Sequence, residues 1–360
     1  MKTLTRYIGR DVLVATLAIF VALLSLFAFF DLINELTDVG KGGYTLSAAA
    51  LYVALHLPSR LYELFPVAAL IGTLFAISQL VANSEFTVMR ASGASILQVV
   101  WAVLRVGFPL AIATFLAGEY VAPQSERLAQ NVRAAAMGGA TGVVAQQFES
   151  GFWFKQDYTF VNIRTVLADM TLVGVRIYEF DRDLRLTAVR SAESGRFAGD
   201  GHWRLDKVSV TEIGRDSAKV STPPTWLWPS VLQPSILTVY QVAPEKLALS
   251  TLYDNIRVLD TGAQKTSRFE IALWSKVLYP VAVLVMMLLA LPFAQFQRRQ
   301  GGVGFRLFAG TMLGLAFWLI ERLFSYLGVL NNWPPLFAAA FPLAAFTLLA
   351  IGIQYWMERR

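Results

Sequence analysis

Pro123-Gln124-Ser125-Glu126-Arg127-Leu128-Ala129-Gln130-Asn131-Val132-Arg133 opens a polar stretch that closes at Lys265-Thr266-Ser267-Arg268-Phe269-Glu270. Nothing between these ends can cross a bilayer as a helix, which takes about 20 mostly apolar residues. Three apolar segments precede the stretch and three follow it. The reading is a membrane α-helical protein with six transmembrane helices, three on each side of one inserted domain. Residues 1–122 hold the first three spans, 123–270 the insert and 271–360 the last three.

Composition agrees with this plan. Of 360 residues, 56% are apolar and 16% charged, against about 25% charged in ordinary soluble domains. The absence of cysteine excludes disulfides, thiolate metal sites and a cysteine nucleophile. His56 and His202 lie far apart and form no ligand cluster. The net charge of +6 is modest. Its basic residues stand beside the hydrophobic segments, not in a stripe of the kind that tracks nucleic acid.

Inside the insert the period changes. Gln124 to Met137 reads as a helix stopped at Gly138-Gly139. Val143–Glu149, Gly151–Lys155, Tyr158–Arg164, Leu172–Phe180, Leu184–Arg190, His202–Lys207 and Val208–Ile213 alternate, or are β-branched and aromatic. Asp181-Arg182-Asp183 and Gly199-Asp200-Gly201 punctuate them as turns. Many short strands at even spacing predict an all-β sandwich or open barrel. Pro223-Pro224 and Trp226-Leu227-Trp228-Pro229 read as an irregular crossing, and Ile236–Val242 as a last strand. Pro244 starts a helix to about Leu259, with Leu247, Leu252, Ile256 and Leu259 on one stripe.

The spans are predicted at Val12–Phe30, Leu64–Ala82, Ile96 to about Ala117, Ile271–Phe296, Phe305–Leu327 and Leu336–Trp356. Leu51–Glu63, before the second span, is amphipathic and punctuated by Pro58 and Pro66. Arg60 and Glu63 stand three apart on one helical face and can pair. Such charges face protein, sit near a span's end or line a wet cavity. Glu321 and Arg322 stand near the outer end of span five, which also holds the close-packing pattern Gly310-x-x-x-Gly314. Between spans two and three, Asn83 to Ser95 reads as a small helix of its own. Asn83 or Ser84 caps it, Glu85 suits its first turn and Gly93 stops it. Ser95 with Gln98 forms a capping box that opens span three.

Lysine and arginine set the orientation. Lys2, Arg6 and Arg10, then Arg298, Arg299 and Arg306, then Arg359 and Arg360, all fall on one side of a six-span plan. The opposite short loops are acidic (Asp31 to Ser47) or uncharged (Asn331 to Pro334). Both termini are therefore expected in the cytoplasm and the insert in the periplasm. No P-loop, H-E-x-x-H or G-x-S-x-G occurs. Neither a catalytic residue nor a metal site is assigned, and such a chain needs a partner to do work.

Four stretches carry a likeness that covers the whole chain: Ser84-Glu85-x-x-Val88-Met89-x-Ala91-Ser92-Gly93, Gly118-Glu119-Tyr120-Val121-Ala122-Pro123-Gln124, Arg133-Ala134-x-Ala136-Met137 and Trp274-Ser275-Lys276. With them the sequence resembles the lipopolysaccharide export permeases, the LptF/LptG family of ABC transporter subunits. The Ala91-Ser92-Gly93 turn and the Arg6-Tyr7-Ile8-Gly9 start lean to the LptG branch.

The resemblance implies a β-jellyroll insert and a non-catalytic permease of a Gram-negative inner membrane. It implies pairing with a second, LptF-like permease above an LptB-like ABC ATPase dimer that binds the ATP and Mg. An LptC-like single-span bridge protein and a periplasmic carrier would receive the lipopolysaccharide. The 84–93 helix matches the coupling helix, with Glu85, Phe86, Val88, Met89, Arg90 and Gly93 meeting the ATPase. Anionic lipid phosphates call for cations at the outer mouth: Lys41 and Arg60, with Glu63 beside Arg60 and Arg322 behind. Family members carry basic residues at the outer end of span one. Here that stretch reads Asn34-Glu35-Leu36-Thr37-Asp38, so either Lys41 takes the charge or the second permease supplies it. A lateral opening would run between span one of one permease and span five of the other. Phe27, Phe30 and Ile33 would line it from span one, and Phe317, Ile320, Glu321 and Phe324 from span five. The rival reading is a membrane scaffold that recruits periplasmic partners through its β-domain.

Overall fold

The computed structural model describes residues 2–137, 144–156, 158–167, 170–214, 217–230, 232, 234, 243–261, 265–296 and 303–358. Six helices are long and apolar enough to cross a membrane. The first three are α1 (Lys2–Leu36), α2 (Leu46–Ala82) and α4 (Ile96–Leu116). The short α3 (Glu85–Ala91) lies between α2 and α4. A π-turn, Ala117–Val121, continues α4 into α5 (Ala122–Ala136). After the β-domain come α6 (Leu249–Thr261) and the spans α7 (Ser267–Phe296), α8 (Val303–Leu330) and α9 (Pro335–Glu358). The expected strand Ile236–Val242, the Gly138-Gly139 stop and the basic residues Arg298, Arg299, Arg359 and Arg360 lie outside the described residues.

The second span differs from its sequence reading. The amphipathic Leu51–Glu63 and the apolar Leu64–Ala82 both belong to one helix, Leu46–Ala82, of 37 residues with Pro58 and Pro66 inside it. Each proline removes one backbone hydrogen bond, a loss tolerated where neighbouring helices re-satisfy the freed groups. At 1.5 Å per residue α2 is about 55 Å long, well beyond the roughly 30 Å of a hydrocarbon core. Its first turns therefore project on the β-domain side, where Tyr52 and Val53 pack with Ala129 of α5. Its inner turns are the centre of the bundle: Phe65, Ala68, Leu70, Leu74 and Ile77 are buried. Close approaches set its neighbours. A Cβ on Gly72 would stand 2.3 Å from the Cα of Thr16 in α1. Gly310 and Gly314 of α8 face Leu74 and Val67, so that glycine pair packs within the chain.

Seven strands form the inserted sheet: β1 (Val144–Gln156), β2 (Thr159–Leu167), β3 (Leu172–Phe180), β4 (Leu186–Gly199), β5 (His202–Ile213), β6 (Ala218–Ser221) and β7 (Thr225–Pro229). The order is β1-β2-β3-β4-β5-β6, all antiparallel, with β7 beside the first half of β5. The inserted β-domain is thus as expected; some strand limits are not. From Val144 on, the two stretches read as Val143–Glu149 and Gly151–Lys155 are one strand, and the apparent break is a register irregularity between Gln147 and Phe152. His202–Lys207 and Val208–Ile213 are likewise one strand, broken only by Lys207 at φ 54. β4 runs on past Arg190 to a tight turn in which Asp200 and Gly201 both have positive φ, as Asp-Gly pairs favour in hairpins. Trp226 to Pro229, read as irregular, is β7: Trp228 points inward between exposed neighbours.

One face of the sheet is apolar, carrying Phe154, Val161, Ile163, Val175, Ile177, Trp203, Leu205 and Trp228. Each such side chain contributes about 1.5–3 kcal/mol on full burial. Helices close this face: Leu252 and Leu259 of α6, and Phe269 and Ala272 of α7, belong to the same core. The β-domain is therefore seated directly on the start of the fourth span. The helix expected from Pro244 instead divides. Pro244–Lys246 is one 3-10 turn, Leu247 is extended and α6 begins at Leu249.

Candidate functional site

Residues of α2, α7, α8 and α9 nearest the β-domain, with Gly118 of the π-turn and Ala122 of α5, surround a cavity of about 1080 Å³. Its apolar wall includes Pro66, Tyr279, Phe317 and Leu343. Charged side chains stand among these: Arg60 and Glu63 of α2, Lys276 of α7, Glu321 and Arg322 of α8, and Glu245 and Lys246 from the chain leaving the sheet. An apolar wall with a few placed charges suits an amphiphile.

Of the candidates read from sequence, the structure brings Arg60, Glu63, Phe317, Glu321 and Arg322 to this cavity. Arg60 is not a free cation. Its guanidinium forks onto Asp31 of α1 (2.8 and 2.7 Å) and also donates to Glu63 at 2.8 Å. Asp31 was legible only as part of an acidic loop. Arg322 lies 6.0 Å from the centroid of the Trp318 ring and 5.8 Å from that of Tyr326. No carboxylate comes within ion-pair distance of it among the described residues. Phe317 is buried edge-on against Phe346.

The remaining candidates lie elsewhere. Lys41 pairs with Asp38 at 2.7 Å in the loop after α1 and stays largely in solvent. Asp38 also takes Arg133 of α5 at 2.6 Å. Lys41, then Arg133, hold the Asp38 carboxyl below its ordinary range. Beside it, burial and the hydrogen bond to Glu35 raise the Tyr44 hydroxyl. Phe30 and Ile33 are exposed on α1. Phe27 is half-buried, its ring 5.9 Å from Arg60. Ile320 packs against the bundle core. Phe324 stacks on Phe341 of α9 at 4.7 Å.

At the opposite end of the bundle, α3 has no buried residue. Ser84 adopts the left-handed conformation and makes no side-chain cap, contrary to the sequence reading. Asn83 instead donates to Glu85 at 3.4 Å. Gly93 at φ 91 ends the helix as expected: its N–H reaches Arg90 O and that of Ala94 reaches Met89 O. Any side chain with a Cβ is strained at that angle. The Ser95–Gln98 capping box forms. Phe86 and Met89 pack down onto the bundle, whereas Val88 and Arg90 face outward. Glu85 is held by span one: Tyr7 donates to its Oε2 at 2.8 Å.

Six spans in two halves, an inserted β-domain, a cavity beneath that domain and a short helix at the far end define a multi-pass membrane protein. The chain belongs to the lipopolysaccharide export system permease LptF/LptG family, whose model matches residues 6–356. It is 33% identical over 352 residues to lipopolysaccharide export system permease protein LptG of Escherichia coli K12, covering 97% of each chain. It is 32% identical over 361 residues to the protein of the same name from Haemophilus influenzae, covering 100% of this chain and 99% of that one.

Proposed function

We propose that this chain is a non-catalytic permease subunit of an ATP-driven transporter that extracts lipopolysaccharide from a Gram-negative inner membrane. One observation carries the reading: α3, which has no buried residue and turns Val88 and Arg90 outward, is built into the turn between the two helices α2 and α4 that run on to the cavity end. A partner gripping α3 moves both helices. The grip falls to a cytoplasmic ABC ATPase dimer, which binds ATP and Mg; this sequence has no P-loop of its own. Val88 and Arg90 face that partner, and Glu85 meets it while tethered to Tyr7. A second, related permease completes the membrane pair, and a periplasmic bridge and carrier receive the lipid. Both termini and α3 lie in the cytoplasm, and the β-domain lies in the periplasm.

The cavity supplies one wall of the lipid site. Acyl chains meet Pro66, Phe317 and Leu343. Arg322, which lies over two aromatic rings and has no ion pair among the described residues, takes a phosphate more readily than Arg60, which Asp31 and Glu63 already neutralise. Affinity purification of the tagged chain from its host tests the reading. The wild type is expected to bring down an ATPase and a second six-span protein. Glu85→Lys is expected to recover about tenfold less ATPase, equivalent to 1.4 kcal/mol, with the second permease retained. Recovery of periplasmic proteins alone, with no ATPase in either sample, overturns the transporter and leaves a membrane scaffold.

A further inference from the structure

Two sequence motifs, Gly118–Gln124 and Trp274-Ser275-Lys276, serve neither the docking helix nor the apolar wall of the cavity. The fold joins them. Lys276 of α7 is buried, and its ammonium lies 3.2 Å from the Glu119 carboxylate on the π-turn that ends span three. The same ammonium donates to Leu247 O at 2.6 Å and to Gly118 O at 3.3 Å. Both oxygens of Glu119 accept the N–H of Leu249, the first residue of α6, at 2.8 and 2.9 Å. Gly118 lets this happen. A Cβ there would stand 2.1 Å from the Tyr62 ring, which is itself stacked on Tyr279 at 3.9 Å.

Lys276 and Glu119 clamp one short strap, residues 243–249, that leads into α6. Ala243, Glu245 and Lys246 of that strap also line the cavity. A second carboxylate, Glu126 of α5, holds the strap from its other side through Lys246 at 2.8 Å. The strap is thus a cavity wall and a tether of the β-domain at once.

We propose that Glu119 and Lys276 are a positioning pair that locks this strap to the ends of spans three and four, so that movement of those spans is delivered to the β-domain and the cavity together. The lock itself follows from the contacts; its use in lipid delivery rests on the transporter reading above. The physical reason is desolvation. A lone ammonium or carboxylate at this depth is costly, so each group keeps the other, and the strap between them, in one place. Truncating either frees the strap, whereas removing both charges leaves no lone ion behind.

The test uses the full complex, purified with its co-isolating partners and reconstituted in proteoliposomes with lipopolysaccharide and an acceptor. The variants are Glu119→Gln, Lys276→Met and the double substitution. Each single variant is expected to speed hydrogen exchange at the Leu249 amide by about tenfold. Each is also expected to cut lipid delivered per ATP by about fivefold, with ATP hydrolysis held within about twofold. The double variant is expected to be no worse than either single. Unchanged exchange in both singles overturns the proposal. So do losses that multiply in the double, or lipid delivery and ATP hydrolysis falling in proportion, which marks a merely structural defect. If a single variant fails to accumulate, the double carries the exchange measurement. An absence of ATPase from the wild-type sample fails the transporter reading, and the exchange result then decides the lock by itself.

Discussion

On the β-domain side of the bundle, acids and bases from different elements meet wholly or partly out of water. Asp31 of α1 meets Arg60 of α2, and Glu35 meets Arg133 of α5. Glu126 meets both His56 and Lys246, and Glu119 meets Lys276. On the opposite side α3 has no buried residue; Phe86 and Met89 rest on the bundle core, and Tyr7 of span one donates to Glu85 in an exposed hydrogen bond. The difference is one of desolvation. Removing one member of a buried pair leaves an uncompensated charge, at a cost of about 3–5 kcal/mol, whereas exposed pairs contribute roughly 0–1 kcal/mol. One end is therefore closed by the chain's own side chains. The other has no buried residue in its short helix, which fits the docking role proposed for α3.

The largest expected effect falls on the closed end. Glu126→Ala strands His56 at 10% side-chain exposure and cuts Lys246 loose. Because Lys246 is partly exposed, the loss is expected at the lower end of the buried-pair range, about 3 kcal/mol. The drop in the thermal midpoint of the detergent-solubilised chain measures it, and a drop no larger than that of a surface variant breaks the comparison. Next comes the middle, which both ends share. Gly72→Ala places a methyl group against the backbone of Thr16, for an expected loss of about 1–3 kcal/mol. A methyl group accommodated without loss would mean that α1 and α2 separate freely. At the open end, Glu85→Lys is expected to change stability by no more than about 0.5 kcal/mol, even as it sheds the ATPase. The same thermal scan checks this.

The smallest effect is in the loop after span one, and it depends on pH. The Asp38 carboxyl is held below its ordinary value by Lys41 and then Arg133. A depressed folded value stabilises the loop above the unfolded one. That contribution begins to be lost as pH falls past the ordinary value of 3.8, and is gone once the folded carboxyl is protonated. Hydrogen exchange across residues 37–45 is expected to quicken over that window. Asp38→Asn is expected to remove the pH dependence, and an unchanged profile in that variant would assign the window to another acid.

Much of this molecule is written in contiguous residues. Hydropathy marks the six spans and period two marks most of the sheet. Ser95 with Gln98, Gly93 and Asp200-Gly201 announce a cap, a stop and a turn. Sequence also paired Arg60 with Glu63, because three residues of helix place them on one face. It divided α2 between Glu63 and Leu64 and β5 between Lys207 and Val208, since a change from amphipathic to apolar or a pause in alternation looks the same locally whether or not an element continues. It placed Lys41 at a lipid mouth on the strength of charge alone, whereas Lys41 stays with its neighbour Asp38.

By itself, then, the sequence determined what each segment is: which stretches cross the membrane, where the β-domain is inserted and where α3 begins and ends. These follow from side-chain chemistry repeated at the period of one element, so neighbouring residues suffice to specify them. Only the tertiary structure decided which acid meets which base from one element to another. Glu119 and Lys276 both stood in recognised motifs, yet nothing in either motif names the other. They meet because helices approach at Gly118 and the strap crosses between them. Once they are out of water, each charge is bound to the nearest group that can neutralise it.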